Sequence, residues 1–290
     1  MIITAYTINA FAKTDQGGNP AGIVLYADDL NEDQMKKIAK ILGFSETAFA
    51  MKSSKASIKV RFFTPAEEVD LCGHATIGLF SFMKEKGLIQ PGDYTQETNA
   101  GILDIQVTQD GYVMMEQTKP QFFETIGKEV IAESLGLEPE DLDDEYLPQI
   151  VSTGLRDIMI PVKNRNMVDA IKPDMEKITK VSRDYKVVGY HVFALDTLYD
   201  DTAYCRNFAP LYDIPEESAT GTSNGALASY LYQYKMVENK DVTNLVFEQG
   251  YSMSKPSEIR ASLDIVDGQI DKVYVGGVAR NIQERMIELN

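Results

Sequence analysis

The sequence predicts an α+β protein of two related halves, with much strand wrapped around two buried central helices. The first observation is Arg61 to Met83, RFFTPAEEVDLCGHATIGLFSFM: a strand that stops at Pro65, an acidic loop, then a helix opening at Gly73. From Ala75 that helix is almost wholly small or apolar, so it is expected to be buried on every side. The second is Arg206 to Leu231, RNFAPLYDIPEESATGTSNGALASYL, which repeats the order: Arg-x-Phe-x-Pro, an acidic loop, and a glycine opening a helix of small and apolar residues. The third is their spacing. Arg61, Phe63 and Pro65 precede Arg206, Phe208 and Pro210 by 145 positions, half of the 290-residue chain. The second loop is longer by three residues: Gly73 follows Arg61 by 12, Gly221 follows Arg206 by 15. The repeat implies two pseudosymmetric halves, 1–117 and 118–290, whose helix N-termini are expected to face one cleft.

The remaining elements follow in order. Ile2 to Phe11 alternates and is rich in β-branched residues, a strand. Thr14 to Pro20, TDQGGNP, is a tight polar loop whose glycines allow close backbone approach. Ala21 to Leu25 is a short strand, and Asn31 caps a helix through about Leu42, with Glu32 and Asp33 in its first turn. Ser45-Glu46-Thr47-Ala48-Phe49-Ala50 begins another strand, followed by Ile58 to Phe63. Beyond the first central helix, Gly101 to Val107 and Tyr112 to Gln117 form a hairpin turning at Asp110-Gly111. Thr118-Lys119-Pro120 reads as the linker. A helix is expected near Lys128 to Leu135, strands near Ile150 to Thr153 and Asp157 to Val162, and short helices near Met167 and Met175. Lys186 to Ala194 and Ala203 to Phe208 are strands leading to the second central helix. Asn244 to Gln249, Glu258 to Val266 and Lys272 to Val278 close the chain.

Composition limits the function classes. The chain carries a net charge of −16 and no basic run, which disfavours binding to nucleic acid or acidic membranes. Two cysteines, Cys72 and Cys205, do not make a disulfide framework and fit a reducing compartment. MIITAYTINAF has no positive n-region, and no window approaches the ~20 apolar residues of a membrane span. The expected location is cytoplasmic. Nucleotide fingerprints and the G-x-S-x-G elbow of serine hydrolases are absent. Cys72 and His74 could offer two metal ligands, but no further ligands are signalled. The expectation is therefore no metal and no organic cofactor.

The first helix start carries the chemistry. Its leading N–H groups lack intrahelical partners and the macrodipole is positive there, so it can receive a carboxylate or a developing oxyanion. Glu46 opens a strand among small and apolar residues, where desolvation would raise its pKa toward neutrality and suit it to proton transfer; a solvent-facing strand-end glutamate is the alternative. His74 lies on the helix's first turn, where the dipole favours the neutral ring; it either donates to a ligand or only caps and packs. Cys72 is either a thiolate activated by the helix end or a small buried residue.

FFTPAEEVDLCGHATIG, with the early GGNPAGIVL and SETAF and the later RNFAP…EESATGTSNGALASYL, resembles the phenazine-biosynthesis isomerase (PhzF-like) family. EQGYSMSKPSEI and VYVGGVA fall in the same order, so the resemblance covers essentially the whole chain. It implies a diaminopimelate-epimerase-like fold, each half a mixed sheet curled around a central helix, with the site between the halves. It also implies an isomerase acting without cofactor on a small carboxylate-bearing substrate, and a homodimer. By the resemblance Glu46 falls on the family's proton-transferring glutamate, and Gly73 and His74 on its substrate-binding pair. The family's Glu-Asp-Pro-Ala-Thr-Gly-Ser appears here as Glu216-Glu217-Ser218-Ala219-Thr220-Gly221-Thr222. Glu217, Gly221 and Thr222 are thus further substrate-binding candidates, with Cys72 and Asn19 secondary. Related racemases use a cysteine at each helix start. Here the paired positions are Cys72 and Thr220, and a hydroxyl cannot replace a thiol as acid or base, which disfavours a two-thiol mechanism. A lyase or dehydratase of the proline-racemase type using Glu46 or Cys72 as single base, a racemase-like enzyme on the same scaffold, and a non-catalytic small-molecule binding protein are the other readings.

Overall fold

The computed structural model describes residues 1–289. The chain divides into two compact units: Met1–Glu116 together with the segment from Gly276 onward, and Gln117–Val275. The expected division at residues 117 and 118 thus lies within one position of the observed one, but the C-terminal segment expected in the second half belongs to the first unit.

In the first unit β1 (Ile2–Ala10), β2 (Asn19–Val24), β3 (Thr47–Met51) and β4 (Ile58–Phe63) precede a short β5 (Glu68–Val69), and β6 (Gly92–Thr98), β7 (Gly101–Val107) and β8 (Val113–Gln117) follow. The C-terminal strand Ala279–Glu288 pairs antiparallel with β1, β1 antiparallel with β2, β2 parallel with β3, and β3 antiparallel with β4. β4 then pairs antiparallel with β5 and parallel with β6, and β6–β7–β8 is an antiparallel run.

Helix α1 (Glu32–Leu42) forms because Asn31 and Gln34 complete a reciprocal capping box and Gly43 ends it in the left-handed region, φ 72°. It buries Met35, Ile38 and Ala39 against Ala5, Val24, Phe49 and Phe63. Helix α2 (Gly73–Glu85) buries every residue from Ala75 to Phe82, as its composition predicts. It packs on Ile8, Ile23, Ala48, Ala50 and Phe62. The period of two along β3 thus divides its side chains, Ala48 and Ala50 toward α2 and Phe49 toward α1.

The second unit has the same pairing plan. Its strands are β9 (Gln121–Thr125), β10 (Gln149–Ser152), β11 (Arg156–Pro161), β12 (Gly189–Ala194), β13 (Ala203–Ala209), β14 (Ile214–Glu217), β15 (Leu245–Gln249), β16 (Ser257–Val266) and β17 (Gln269–Gly277). β9–β10–β11 is antiparallel, β11–β12 parallel, β12–β13 antiparallel, β13–β14 antiparallel, β13–β15 parallel and β15–β16 antiparallel. β9 therefore corresponds to the C-terminal strand. Strand β1 needs an outer partner that β9 supplies to β10, and only the C-terminus supplies it. That is why a cut at mid-sequence misassigns the last segment.

Helices α3 (Lys128–Leu135), α4 (Arg165–Ala170) and α5 (Met175–Tyr185) pack on Ile158, Ile160, Tyr190, Val192 and Phe208. Helix α6 (Gly221–Gln233) takes the other face and buries Ser223 to Leu231. The repeated Arg-x-Phe makes two contacts in common, a paired carboxylate and the aromatic ring. Arg61 holds Glu68 through two nitrogens, at 2.7 and 2.6 Å, over the Phe63 ring, and Arg206 holds Glu216 at 2.8 and 2.8 Å over Phe208. No helix among the described residues is long and apolar enough to cross a membrane.

Candidate active site

Strand parity positions the first candidate. Glu46 immediately precedes β3 and shares the face of Ala48 and Ala50, the face that α2 covers. Its carboxylate accordingly meets the start of α2: Oε2 lies 3.4 Å from His74 Nε2. The two groups are not aligned for a hydrogen bond. Glu46 Oε2 is buried and has no hydrogen-bond partner among the described residues. Such an oxygen is costly to bury and available to a ligand.

The His74 ring lies between two partners, with Cys72 Sγ 3.3 Å from Nδ1. Burial, the largest influence, pushes the His74 pKa below its usual value, while the Glu46 carboxylate and a hydrogen bond to the Pro20 carbonyl oppose it. The ring is therefore neutral at pH 7, its one N–H donated to the Pro20 carbonyl and its other nitrogen left with a lone pair. The dipole of α2 acts in the same sense, but burial comes first.

Cys72 is the N-cap residue of α2, and no side chain caps that end. A Cβ on Gly73 would meet only Met115 Cε, at 3.4 Å, so packing does not demand glycine there and space is left beside the helix start. Asn19 is buried as the first residue of β2, paired with Ala10, and directly precedes the Pro20 that binds His74. The preceding Gly18 has φ +84°, and a Cβ there would lie 2.5 Å from Ala10 O, so this turn requires glycine. Glu46, Cys72, Gly73 and His74 thus form one cluster in the first unit, with Asn19 adjoining through Pro20.

Glu217, Gly221 and Thr222 lie in the second unit, around the start of α6. The Thr220 hydroxyl donates to Glu217 Oε2 at 2.8 Å, and Thr222 Oγ1 donates to Gln117 Oε1 at 3.1 Å. Beneath them runs a buried polar network with a definite direction. Asn224 donates through Nδ2 to Gln249 Oε1 (2.9 Å), and Gln249 Nε2 donates to the Glu217 carbonyl (2.8 Å) and to Thr220 Oγ1 (3.1 Å). The Thr220 proton is thereby directed to Glu217. With its amide nitrogen committed, Asn224 accepts through Oδ1 from His191 Nε2 at 3.2 Å. His191 Nδ1 then accepts from Asn207 at 3.2 Å, and Ser223 donates to Asp157 at 2.7 Å.

Sequence reasoning did not find Gln249, Asp157, Asn207 or His191 as parts of this region. The available signal was Ser223-Asn224 in a helix of otherwise small and apolar residues, since buried polar groups require partners.

Burial pushes Asp157 up to about 6, against the bonds from Ser223 and the Gly189 N–H, and pushes His191 down to about 4, against Asn224. Asp157, raised above its ordinary 3.8, contributes stability that is complete below about pH 4 and lost as pH rises through about 6. His191, lowered from 6.5, contributes stability present above 6.5 and lost as pH falls through about 4. The two oppose each other over one interval, so a variant separates them better than a wild-type profile. Asp157→Asn is expected to gain on the wild type by ~3 kcal/mol between about pH 4 and pH 7, measured by urea unfolding. A difference independent of pH would contradict the assignment.

The two units differ at the candidate positions. Thr47 pairs with Phe63 and Tyr190 with Phe208, so the repeat places Gly189 opposite Glu46 in equivalence. A Cβ at Gly189 would lie 1.9 Å from Phe208 O. The second unit carries glycine, threonine and threonine where the first has Glu46, Cys72 and His74.

Comparison with known proteins places these residues in context. The family model described as "Phenazine biosynthesis-like protein" matches residues 8–285. A Bacillus subtilis (strain 168) protein named "Uncharacterized isomerase YfhB" is 32% identical, over 97% of each chain. The crystal structure of a Bacillus anthracis phenazine biosynthesis protein of the PhzF family superposes with a TM-score of 0.90, at 34% identity, covering 100% of both chains. A hydroxyproline epimerase of Agrobacterium vitis shares the fold alone, with a TM-score of 0.60 at 12% identity over 99% of this chain and 92% of that one. The α+β architecture is diaminopimelate-epimerase-like.

Proposed function

The chain belongs to the phenazine biosynthesis-like protein family, and from that premise we propose a cofactor-independent isomerase in which Glu46 moves a proton on a small carboxylate-bearing substrate. Isomerase or epimerase chemistry on this scaffold follows from the relatives. The observation that carries the assignment of Glu46 is its buried Oε2, without a hydrogen-bond partner and 3.4 Å from a neutral imidazole. Glu46 takes a proton from carbon and returns it elsewhere on the same conjugated system. The uncapped start of α2 at Gly73 receives the substrate carboxylate and the charge that develops, and the His74 ring, its N–H held by the Pro20 carbonyl, lines the site beside Glu46. Glu217, Gly221 and Thr222 are read as further substrate-binding groups, with Asn19 supporting the turn that holds Pro20. The protein is read as acting without nucleic acid or membrane, as a homodimer in the cytoplasm.

A one-base reaction is favoured over a two-base racemisation by the difference between the units. Glu46 has no counterpart at Gly189, and the hydroxyl at the position paired with Cys72 is committed to Glu217. Cys72→Ser is accordingly expected to retain at least about a tenth of wild-type turnover. A fall of about 10³ or more in an intact fold would make Cys72 the acid or base. Incubation with cyclic and unsaturated carboxylic acids, read by mass spectrometry, tests the reaction class. A product isomeric with its substrate is expected; loss of water would replace isomerisation by a lyase reaction.

A further inference from the structure

We propose that Cys72, His74 and Glu46 form a three-donor site for a zinc ion, and that zinc bound there excludes the substrate. One donor atom from each of the three residues can be chosen so that all lie within 4.8 Å of one another. Cys72 Sγ is 3.3 Å from His74 Nδ1 and 3.9 Å from Nε2, and Glu46 Oε2 is 3.4 Å from Nε2. A tetrahedral zinc ion bound by sulfur, imidazole and carboxylate has donor-to-donor edges of about 3.4–3.7 Å, from bonds of about 2.0–2.3 Å. Small side-chain adjustments therefore close the set.

Two further features favour a cation. Glu46 Oε2 is buried without a hydrogen-bond partner, an acceptor that a metal would satisfy. The His74 ring hydrogen-bonds the Pro20 carbonyl, the kind of outer contact that fixes a metal-binding imidazole and leaves its other nitrogen available. Three protein donors leave one position of the tetrahedron open.

Binding stands on these donors alone; exclusion of substrate rests in addition on the reading of Glu46 as the base. The full-length protein, treated with chelator and then freed of it, is titrated with Co²⁺ as a spectroscopic probe. We expect one Co²⁺ per chain, a thiolate-to-cobalt charge-transfer band, and displacement of the cobalt by one equivalent of Zn²⁺. Cys72→Ser should abolish that band, while His74→Gln and Glu46→Gln should each weaken binding at least about tenfold with circular dichroism unchanged. Cys205→Ser, on β13 in the second unit, should change nothing. Absence of saturable binding, a band that survives Cys72→Ser, or wild-type affinity in the Glu46→Gln or His74→Gln variant would overturn the site. Deuterium exchange into substrate that continues under saturating Zn²⁺ would overturn the exclusion while leaving the metal binding in place.

Discussion

Glu46→Gln is expected to lose turnover by about 10²–10⁴ or more while substrate affinity changes little. The amide is nearly isosteric and can still hydrogen-bond, but it cannot accept a proton from carbon. The expected loss lies at or above the upper part of that range because the repeat offers no second base: the equivalent position is Gly189. Competing roles leave different signatures. A structural Glu46 would lose stability on substitution, and a purely binding Glu46 would lose affinity with kcat largely kept. Steady-state kinetics with an equilibrium binding measurement on the same preparations separates the three. Retention of a tenth of wild-type turnover would remove Glu46 from the role of base.

Arg206→Ala is expected to destabilise the fold by about 3–5 kcal/mol, the cost of breaking a largely buried ion pair, although Ser252 still donates to Glu216. Its guanidinium holds Glu216 through two nitrogens and also donates to the carbonyls of Val168 and Ile171, both at 3.2 Å. The side chain is 9% exposed and that of Glu216 16%, so water cannot replace what is lost. Arg61, its counterpart in the repeat, is 21% exposed and has Glu68 and Glu32 as its partners rather than backbone carbonyls. Arg61→Ala should cost no more than about half as much. Urea unfolding of both variants checks the ratio; equal losses would show that the carbonyl contacts contribute nothing.

Much of this architecture is legible locally. Asn31 and Gly43 delimit α1, and the unbroken run of small and apolar residues from Ala75 marks α2 as buried throughout. The repeat is legible because Arg61–Phe63 and Arg206–Phe208 perform the same packing twice. Strand β6 was not anticipated because its inward residues are polar: Gln96 is fully buried and donates to Thr76, so the hydrophobic alternation that announces a strand is missing. The C-terminal strand escaped for another reason. Its register, Ile2 against Glu288, spans nearly the whole chain, and no local pattern encodes that closure.

The candidate site shows the same division. Glu46, Cys72 and His74 were identifiable as chemical types, and β3 parity brings Glu46 to the start of α2. The network from Asp157 to Glu217 was not identifiable, because a buried asparagine or glutamine announces no partner in the sequence. Thr220 is the instructive residue. Its hydroxyl is unsuited to acid–base work from chemistry alone, and the structure shows it donating to Glu217 under the direction of Gln249.

The most direct test is solvent-proton delivery to carbon. In D2O, the wild-type protein incubated with a panel of cyclic and unsaturated carboxylic acids should yield a product isomer carrying one solvent deuteron at the carbon that receives the proton, and Glu46→Gln should yield none. Isomer formation or deuterium incorporation by Glu46→Gln equal to that of the wild type would contradict proton transfer by Glu46; a wild-type isomer free of solvent deuterium would instead mean that the abstracted proton itself is returned.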